Sequence, residues 1–186
     1  HPGQDAAESV IDSSEVINTL SGGGISTVGY AETTVEEPPD QGLLARLGGG
    51  DDREIDSTNA TNRITSLVRK ATLGRLTLPC EVQGTERGLL VVAGPAPYLN
   101  RKGIERGRNW LEEQTGSMEV RGGDFPYTEE NTVATIVVLA GVTNVPRVKE
   151  LQQVAIEAQD SIDATEANRE ESQSALTDTD ELESLF

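Results

Sequence analysis

Apolar positions along the chain recur with two different periods. Val16, Ile17 and Leu20 share one face of a helix over residues 13–20, and Gly22 to Gly24 stop it. Ile25 to Ala31 then read as a strand. Ile64, Leu67, Val68 and Ala71 follow helical i, i+3, i+4, i+7 spacing, with Gly74 just past the end. Leu76, Leu78, Cys80 and Val82 alternate with Arg75, Thr77, Pro79, Glu81 and Gln83. That alternation predicts a half-buried strand, which Pro79 confines to a sheet edge or a bulge. After a turn at Gly84 to Arg87, the unbroken apolar run Leu89 to Ala93 predicts a central strand, ended by Gly94-Pro95-Ala96-Pro97. Asn100 is placed to cap a helix reaching about Gln114, with Ile104, Gly107 and Leu111 on one face and Trp110 beside them. Met118 and Val120 belong to another strand, 124–131 to a polar loop, and Val133 to Ala140 to the most apolar strand. Pro146 suits the first turn of a last helix, with Val148, Leu151 and Ala155 facing in.

Two stretches carry no such period. Residues 33–57 contain Glu36-Glu37-Pro38-Pro39 and Gly48-Gly49-Gly50-Asp51-Asp52, which predict a flexible loop. Leu43, Leu44 and Leu47 could form one docked turn inside it. A loop of that length is an insertion or a functional flap. Residues 160–186 are polar, acidic and repetitive, and read as a disordered tail. From residue 58 the elements run α, β, β, α, β, β, α, which favours one mixed sheet packed with helices, an α+β domain.

Charge adds an asymmetry to this outline. The 186 residues carry a net charge of −17, with fifteen basic residues of which three are lysines (Lys70, Lys102, Lys149). Such a surface stays soluble at high salt and suggests a salt-loving host or, equally, simply an acidic protein with acidic tails. From Glu157 onward ten acids face one base, Arg169. Between Arg63 and Arg108 nine bases face three acids, so a basic belt sits inside an acidic chain. No apolar run approaches the ~20 residues of a membrane helix, and no signal-peptide pattern is present. One cysteine, Cys80, cannot form an internal disulfide, and no Cys/His cluster offers a metal site. Both facts fit a cytoplasmic location. The first residue is His1 rather than Met, so the sequence is expected to be a fragment, a processed chain or a cloned piece.

Few motifs carry chemistry. Gly22-Gly23-Gly24 and Gly48-Gly49-Gly50 lack the Lys-Ser/Thr of a P-loop and the G-x-G-x-x-G of a dinucleotide site, so a helix stop and a loop explain them. The basic helix Asn100 to Trp110 could touch nucleic acid, but the acidic remainder and the scarcity of aromatics argue for a solvated or subunit-contacting face. Cys80 lies on an apolar stripe and reads as a small core residue. Asp12 followed three residues later by Glu15 makes a capping-box variant at a helix start, where the helix dipole also favours carboxylates.

Several stretches taken together resemble the tubulin/FtsZ superfamily, and within it the archaeal tubulin-like CetZ family. They are Glu8 to Leu20, Gly22 to Tyr30, Asn62 to Leu67, Gly74 to Cys80, Leu99 to Arg108 and Gly141 to Arg147. The resemblance covers nearly the whole chain outside the 33–57 loop and the tail. It implies a cytoskeletal GTPase that polymerises head to tail, hydrolyses GTP at the subunit junction and controls cell shape. It implies an N-terminal GTP-binding domain with a Gly-Gly-Gly-Thr-Gly-Ser-Gly signature, which is absent here, so the chain is expected to be the C-terminal portion and inactive alone. GTP would be bound by the N-terminal domain of the neighbouring subunit, with magnesium as the candidate accompanying cation and no cofactor held within this chain.

The loop that completes the neighbour's active site reads Asn-x-Asp-Phe-Ala-Asp-Val in FtsZ, and Val10-Ile11-Asp12-Ser13-Ser14-Glu15-Val16 matches it here. Asp12 falls on the first acid and Glu15 on the second, so the resemblance makes these two the candidate catalytic residues. Val10, Ser13 and Ser14 depart from the division-type pattern. The expected organisation is thus an active-site loop and helix over 1–24, a tubulin/FtsZ-type C-terminal domain over 25–159, and the acidic tail over 160–186. The expected partner is the protein itself, with other proteins on the tail and no nucleic acid. A stand-alone, non-enzymatic interaction module of the same fold and a division-type FtsZ are the alternatives.

Overall fold

The computed structural model describes residues 11–36, 57–127 and 131–178, with side chains described as far as 175. Two compact units result, one up to Val145 and one from Pro146 onward. The first unit is built from α1 (Ser13–Leu20), β1 (Ile25–Thr34), α2 (Ser57–Leu73), β2 (Arg87–Gly94), α3 (Arg101–Thr115), β3 (Glu119–Pro126) and β4 (Thr132–Val142). A short 3-10 turn, Ala96–Tyr98, links β2 to α3.

The four strands form one sheet in the order β1-β4-β2-β3. β4 pairs antiparallel with both β1 and β2, while β2 and β3 are parallel and joined across α3. A parallel pair needs such a crossover, because a tight turn cannot bring the chain back to the same end. β4 and β2 are the central strands, the first the most apolar stretch of the chain and the second the unbroken apolar run. Residues directly opposite one another share a face of the sheet. One face carries Leu90, Val92, Val133, Val137 and Leu139, all buried, and meets Ile64, Leu67 and Val68 of α2 and Leu111 of α3. The approach is close enough to require glycine. A Cβ on Gly29 of β1 would lie 1.9 Å from the Ala71 carbonyl oxygen of α2, and one on Gly107 of α3 would lie 2.8 Å from Val68 Cγ2.

The helices begin and end as their side chains dictate. Asn100 Oδ1 accepts from the Gly103 N–H at 3.0 Å, and Gly116, at φ 71°, closes α3 in the left-handed conformation. In α2 the residues expected to face inward, Ile64, Leu67, Val68 and Ala71, are all buried. Trp110, at the α2–α3 seam, has the Arg69 guanidinium 5.6 Å above its ring.

Three expectations need correction. Residues 76–82 do not form a strand; only Leu76 bridges to Gly29. The expected alternation of burial is present, with Leu76 buried and Leu78 and Cys80 half-buried. The Thr77 N–H donates to the Val28 carbonyl at 2.8 Å, and beyond that bond threonine hydroxyls take over: Thr77 Oγ1 accepts from the Val28 N–H at 2.9 Å, and Thr27 Oγ1 donates to the Leu78 carbonyl at 2.9 Å. Pro79, with no N–H, cannot extend the pairing. At the second place, β3 runs on through Pro126, so Asp124 is a buried strand residue rather than part of a polar loop.

The third concerns the acidic end. α4 (Pro146–Asp178) continues through most of the stretch expected to be a disordered tail. Residues 160–178 contain neither Gly nor Pro, and side chains bond along the helix, as from Gln159 to Asp163 and from Thr165 to the Ser161 carbonyl. Its side chains from Lys149 to Ala175 are exposed, including Leu151 and Ala155, which were expected to face in. The expected turn at Leu43, Leu44 and Leu47, most of the 33–57 loop, and residues 179–186 lie outside the described residues.

Candidate functional site

The two carboxylates singled out by the sequence sit together at the start of α1. Asp12 is the N-cap: its Oδ1 accepts from the N–H of Ser14 at 2.8 Å, from the N–H of Glu15 at 3.1 Å and from Ser14 Oγ at 2.5 Å. These bonds, the Ser14 hydroxyl first, hold the Asp12 carboxyl below the ordinary carboxylate range. Glu15, one turn in, does not reach back as a capping box would. Its Oε2 instead accepts from Arg121 Nη1 at 2.9 Å, an ion pair across 106 positions of sequence. The same contact raises the Arg121 pKa further above its already high value.

Both carboxylates open on a groove of about 290 Å³ lined by Ile11, Asp12, Glu15, Arg108, Val120, Arg121 and Gly122. β3 forms one wall. Its Asp124 carbonyl accepts from the Ile11 N–H at 3.1 Å, which ties the residue entering the cap to the sheet edge. Arg108 of α3 enters from the other side, with its Nε buried, unbonded among the described residues, and 3.7 Å from Glu112 Oε1. Two anions and two cations therefore share one open groove. Asp12 and Glu15 were legible in the sequence. Arg108 was visible only as part of the basic belt, and Arg121 and Asp124 carried no signal, since nothing local distinguishes a charged residue in a strand that happens to face a distant helix.

α1 is tied to the sheet by polar contacts at both of its ends. Arg87 Nη1 donates to the Asn18 carbonyl at 3.2 Å and to Ser21 Oγ at 3.3 Å, placing a cation at the helix C-terminus, while Arg121 takes Glu15 in the first turn. The expected apolar face, Val16, Ile17 and Leu20, is exposed, and within α1 only Thr19 is buried. α1 lies over one end of the second sheet face, at Arg87, Leu89 and Ala140. The other end, with Val28, Tyr30, Val91, Ile136, Val138 and Phe125, is half-buried or open; Tyr30 and Phe125 are 53% and 52% exposed. An apolar sheet face left bare in this way marks a surface that something else covers.

The groove offers charges of both signs to a group presented from outside. Its arginines suit anionic oxygens, and the second oxygen of each carboxylate, Asp12 Oδ2 and Glu15 Oε1, carries no bond among the described residues. No cluster of three metal-binding side chains occurs among the described residues. GTP and magnesium therefore have a fit here only as groups presented from outside. Cys80 is half-buried, and burial pushes its thiol pKa up, consistent with a packing role.

The comparisons with known proteins point in one direction. The family model for tubulin-like CetZ, C-terminal domain, matches residues 2–157. Tubulin-like protein CetZ1 of Haloferax volcanii is 68% identical over 165 residues, which cover 87% of this chain and 42% of that protein. CetZ3 of the same organism is 57% identical over 185 residues, covering 97% of this chain and 46% of the relative. The chain thus spans less than half the length of these curated relatives. Among solved structures, the GDP-bound CetZ1 monomer of Haloferax volcanii superposes with a TM-score of 0.68 at 63% identity, over 81% of this chain and 39% of that one. The GTPγS-bound protofilament of CetZ2 gives 0.66 at 37% identity, over 84% and 41%.

Proposed function

From the premise that the chain belongs to the tubulin-like CetZ family, as its C-terminal domain, we propose that it is part of a cytoskeletal GTPase that assembles head to tail and supplies Asp12 and Glu15 to the GTP held by the adjacent subunit. The observation that carries this reading is the placement of both carboxylates at the exposed start of α1, facing outward over an open groove. The GTPγS-bound CetZ2 protofilament supports both the nucleotide and the self-assembly.

When bound at the junction, GTP brings an electrophilic terminal phosphoryl group whose transfer to water depends on positioning and on charge stabilisation. Glu15 then orients the attacking water and takes up its proton through the carboxylate oxygen not engaged by Arg121. Asp12 spends one oxygen on the cap, so its role is to hold the first turn of α1 in place, and its Oδ2 would be the atom available to a cation such as magnesium, which would supply charge neutralisation. With water activation on one subunit and the nucleotide on the next, hydrolysis follows assembly. The half of the protein that this chain does not span would cover the bare sheet face and the apolar side of α1. Control of cell shape in the cytoplasm is the role this assembly would serve. Among the described residues no helix is long and apolar enough to cross a membrane, and the exposed acidic α4 is available to protein partners.

The test is Glu15→Gln in the full-length protein, which keeps volume and polarity but removes the base. GTP turnover per polymerised subunit should fall about 100-fold or more, with polymer mass at saturating GTP undiminished. Unchanged turnover in intact polymer would remove Glu15 from the chemistry.

A further inference from the structure

Glu15 can serve a neighbouring subunit only if its carboxylate points into the groove at the moment of assembly. A glutamate in the first turn of an exposed helix has three free torsions and no intrinsic reason to choose that direction. The apolar residues of α1 do not lock it: Val16, Ile17 and Leu20 are exposed, and α1 buries one threonine. What reaches it is Arg121, at 2.9 Å from Oε2, rising from β3 in the row of residues under α1. β3 is paired along its length with β2, so the base of Arg121 is as rigid as the sheet. The opposite end of α1 is pinned by Arg87, itself held by Glu119 at 2.8 Å.

We infer that Arg121 is the positioning residue of the proposed hydrolysis, holding Glu15 in the direction from which it meets the neighbour's water. The inference rests on the reading of Glu15 given above. The pair is half exposed (52% for Arg121, 35% for Glu15), and a surface ion pair of this kind adds little to stability. Its effect is on geometry, where a displacement of about 1 Å can cost about a hundred-fold in rate. Arg121 makes one contact to Glu15, through Nη1 alone, rather than a two-pronged fork, so a lysine can replace it.

The experiment is a double-mutant cycle in the full-length protein, reading GTP turnover per polymerised subunit, KM for GTP, and the critical concentration for assembly. Arg121→Gln should lower kcat about ten-fold or more, leave KM and critical concentration unchanged, and be largely rescued by Arg121→Lys. In a Glu15→Gln background, Arg121→Gln should cause no further loss, because a residue that acts through Glu15 has nothing left to position. If the two losses multiply, Arg121 acts on the nucleotide itself and the inference is wrong. If Glu15→Gln abolishes turnover while Arg121→Gln leaves it intact, the inference fails and the proposed function stands. If Glu15→Gln has no effect, both fail.

Discussion

β3, to which the Ile11 N–H is tied, contains a buried charge whose cost can be measured. The Asp124 side chain is 3% exposed, and its Oδ1 has no hydrogen-bond partner among the described residues. Burial raises its pKa above the ordinary value of 3.8. An acid with a raised folded pKa binds more protons folded than unfolded. Its contribution to stability is therefore full below the unfolded pKa and is lost as pH climbs through the folded one. At neutral pH the carboxylate is a liability. Asp124→Asn keeps the volume and removes the charge, while leaving a polar amide in the same place. An unpaired buried polar group costs ~1–3 kcal/mol, and the amide retains part of that. The expected gain at pH 7 is about 1 kcal/mol, or a Tm rise of about 3 °C for a unit of this size. Toward pH 3, where the parent carboxyl is neutral as well, the difference should shrink to nothing. Thermal melts of parent and variant at pH 3, 5 and 7, followed by circular dichroism, make the comparison. A variant less stable than the parent at pH 7 would refute the reasoning, because it would mean that the carboxylate is satisfied as an anion.

Two further outcomes follow from distances. Gly29→Ala places a methyl 1.9 Å from a backbone carbonyl that cannot rotate away, so it should cost about 3 kcal/mol or more in urea unfolding, at the upper end of overpacking effects. Asp12→Ala removes all three bonds of the cap, and the amides of Ser14 and Glu15 should lose their protection from hydrogen exchange at pH 6. The lowered Asp12 pKa sets the sign for the parent protein: the cap is complete above the unfolded value of 3.8 and fails only as pH falls through the depressed folded value.

How far the sequence revealed the structure depended on which force shaped each element. Ile64 to Ala71 were legible because their burial follows a helical period, and Val133 to Ala140 because the run is the most apolar in the chain. Residues 76–82 had the burial pattern of a strand but little of its ladder, since beyond one backbone bond from Thr77 to Val28 the Thr27 and Thr77 side chains take over the pairing with β1. Hydropathy reports what is buried and is silent on what satisfies the backbone. The acidic composition after residue 160 concealed a helix built from local propensity alone. At the site, the spacing of Asp12 and Glu15 predicted a cap, and Asp12 is one. The resemblance to CetZ proteins, rather than the spacing, assigned chemistry to Glu15. Its contact with Arg121 joins residues 106 apart and could emerge only once the chain had folded.

The central claim is that Glu15 acts on a nucleotide held by another molecule. It is tested most directly by mixing two inactive full-length forms, one carrying Glu15→Gln with an intact nucleotide-binding half, the other carrying Glu15 with that half disabled for GTP. Neither should hydrolyse GTP alone. Copolymers should recover turnover in proportion to junctions that pair an intact Glu15 with an intact nucleotide site. Mixed polymers that form but stay inactive, or an unmixed Glu15→Gln polymer that hydrolyses at the parent rate, would contradict the account.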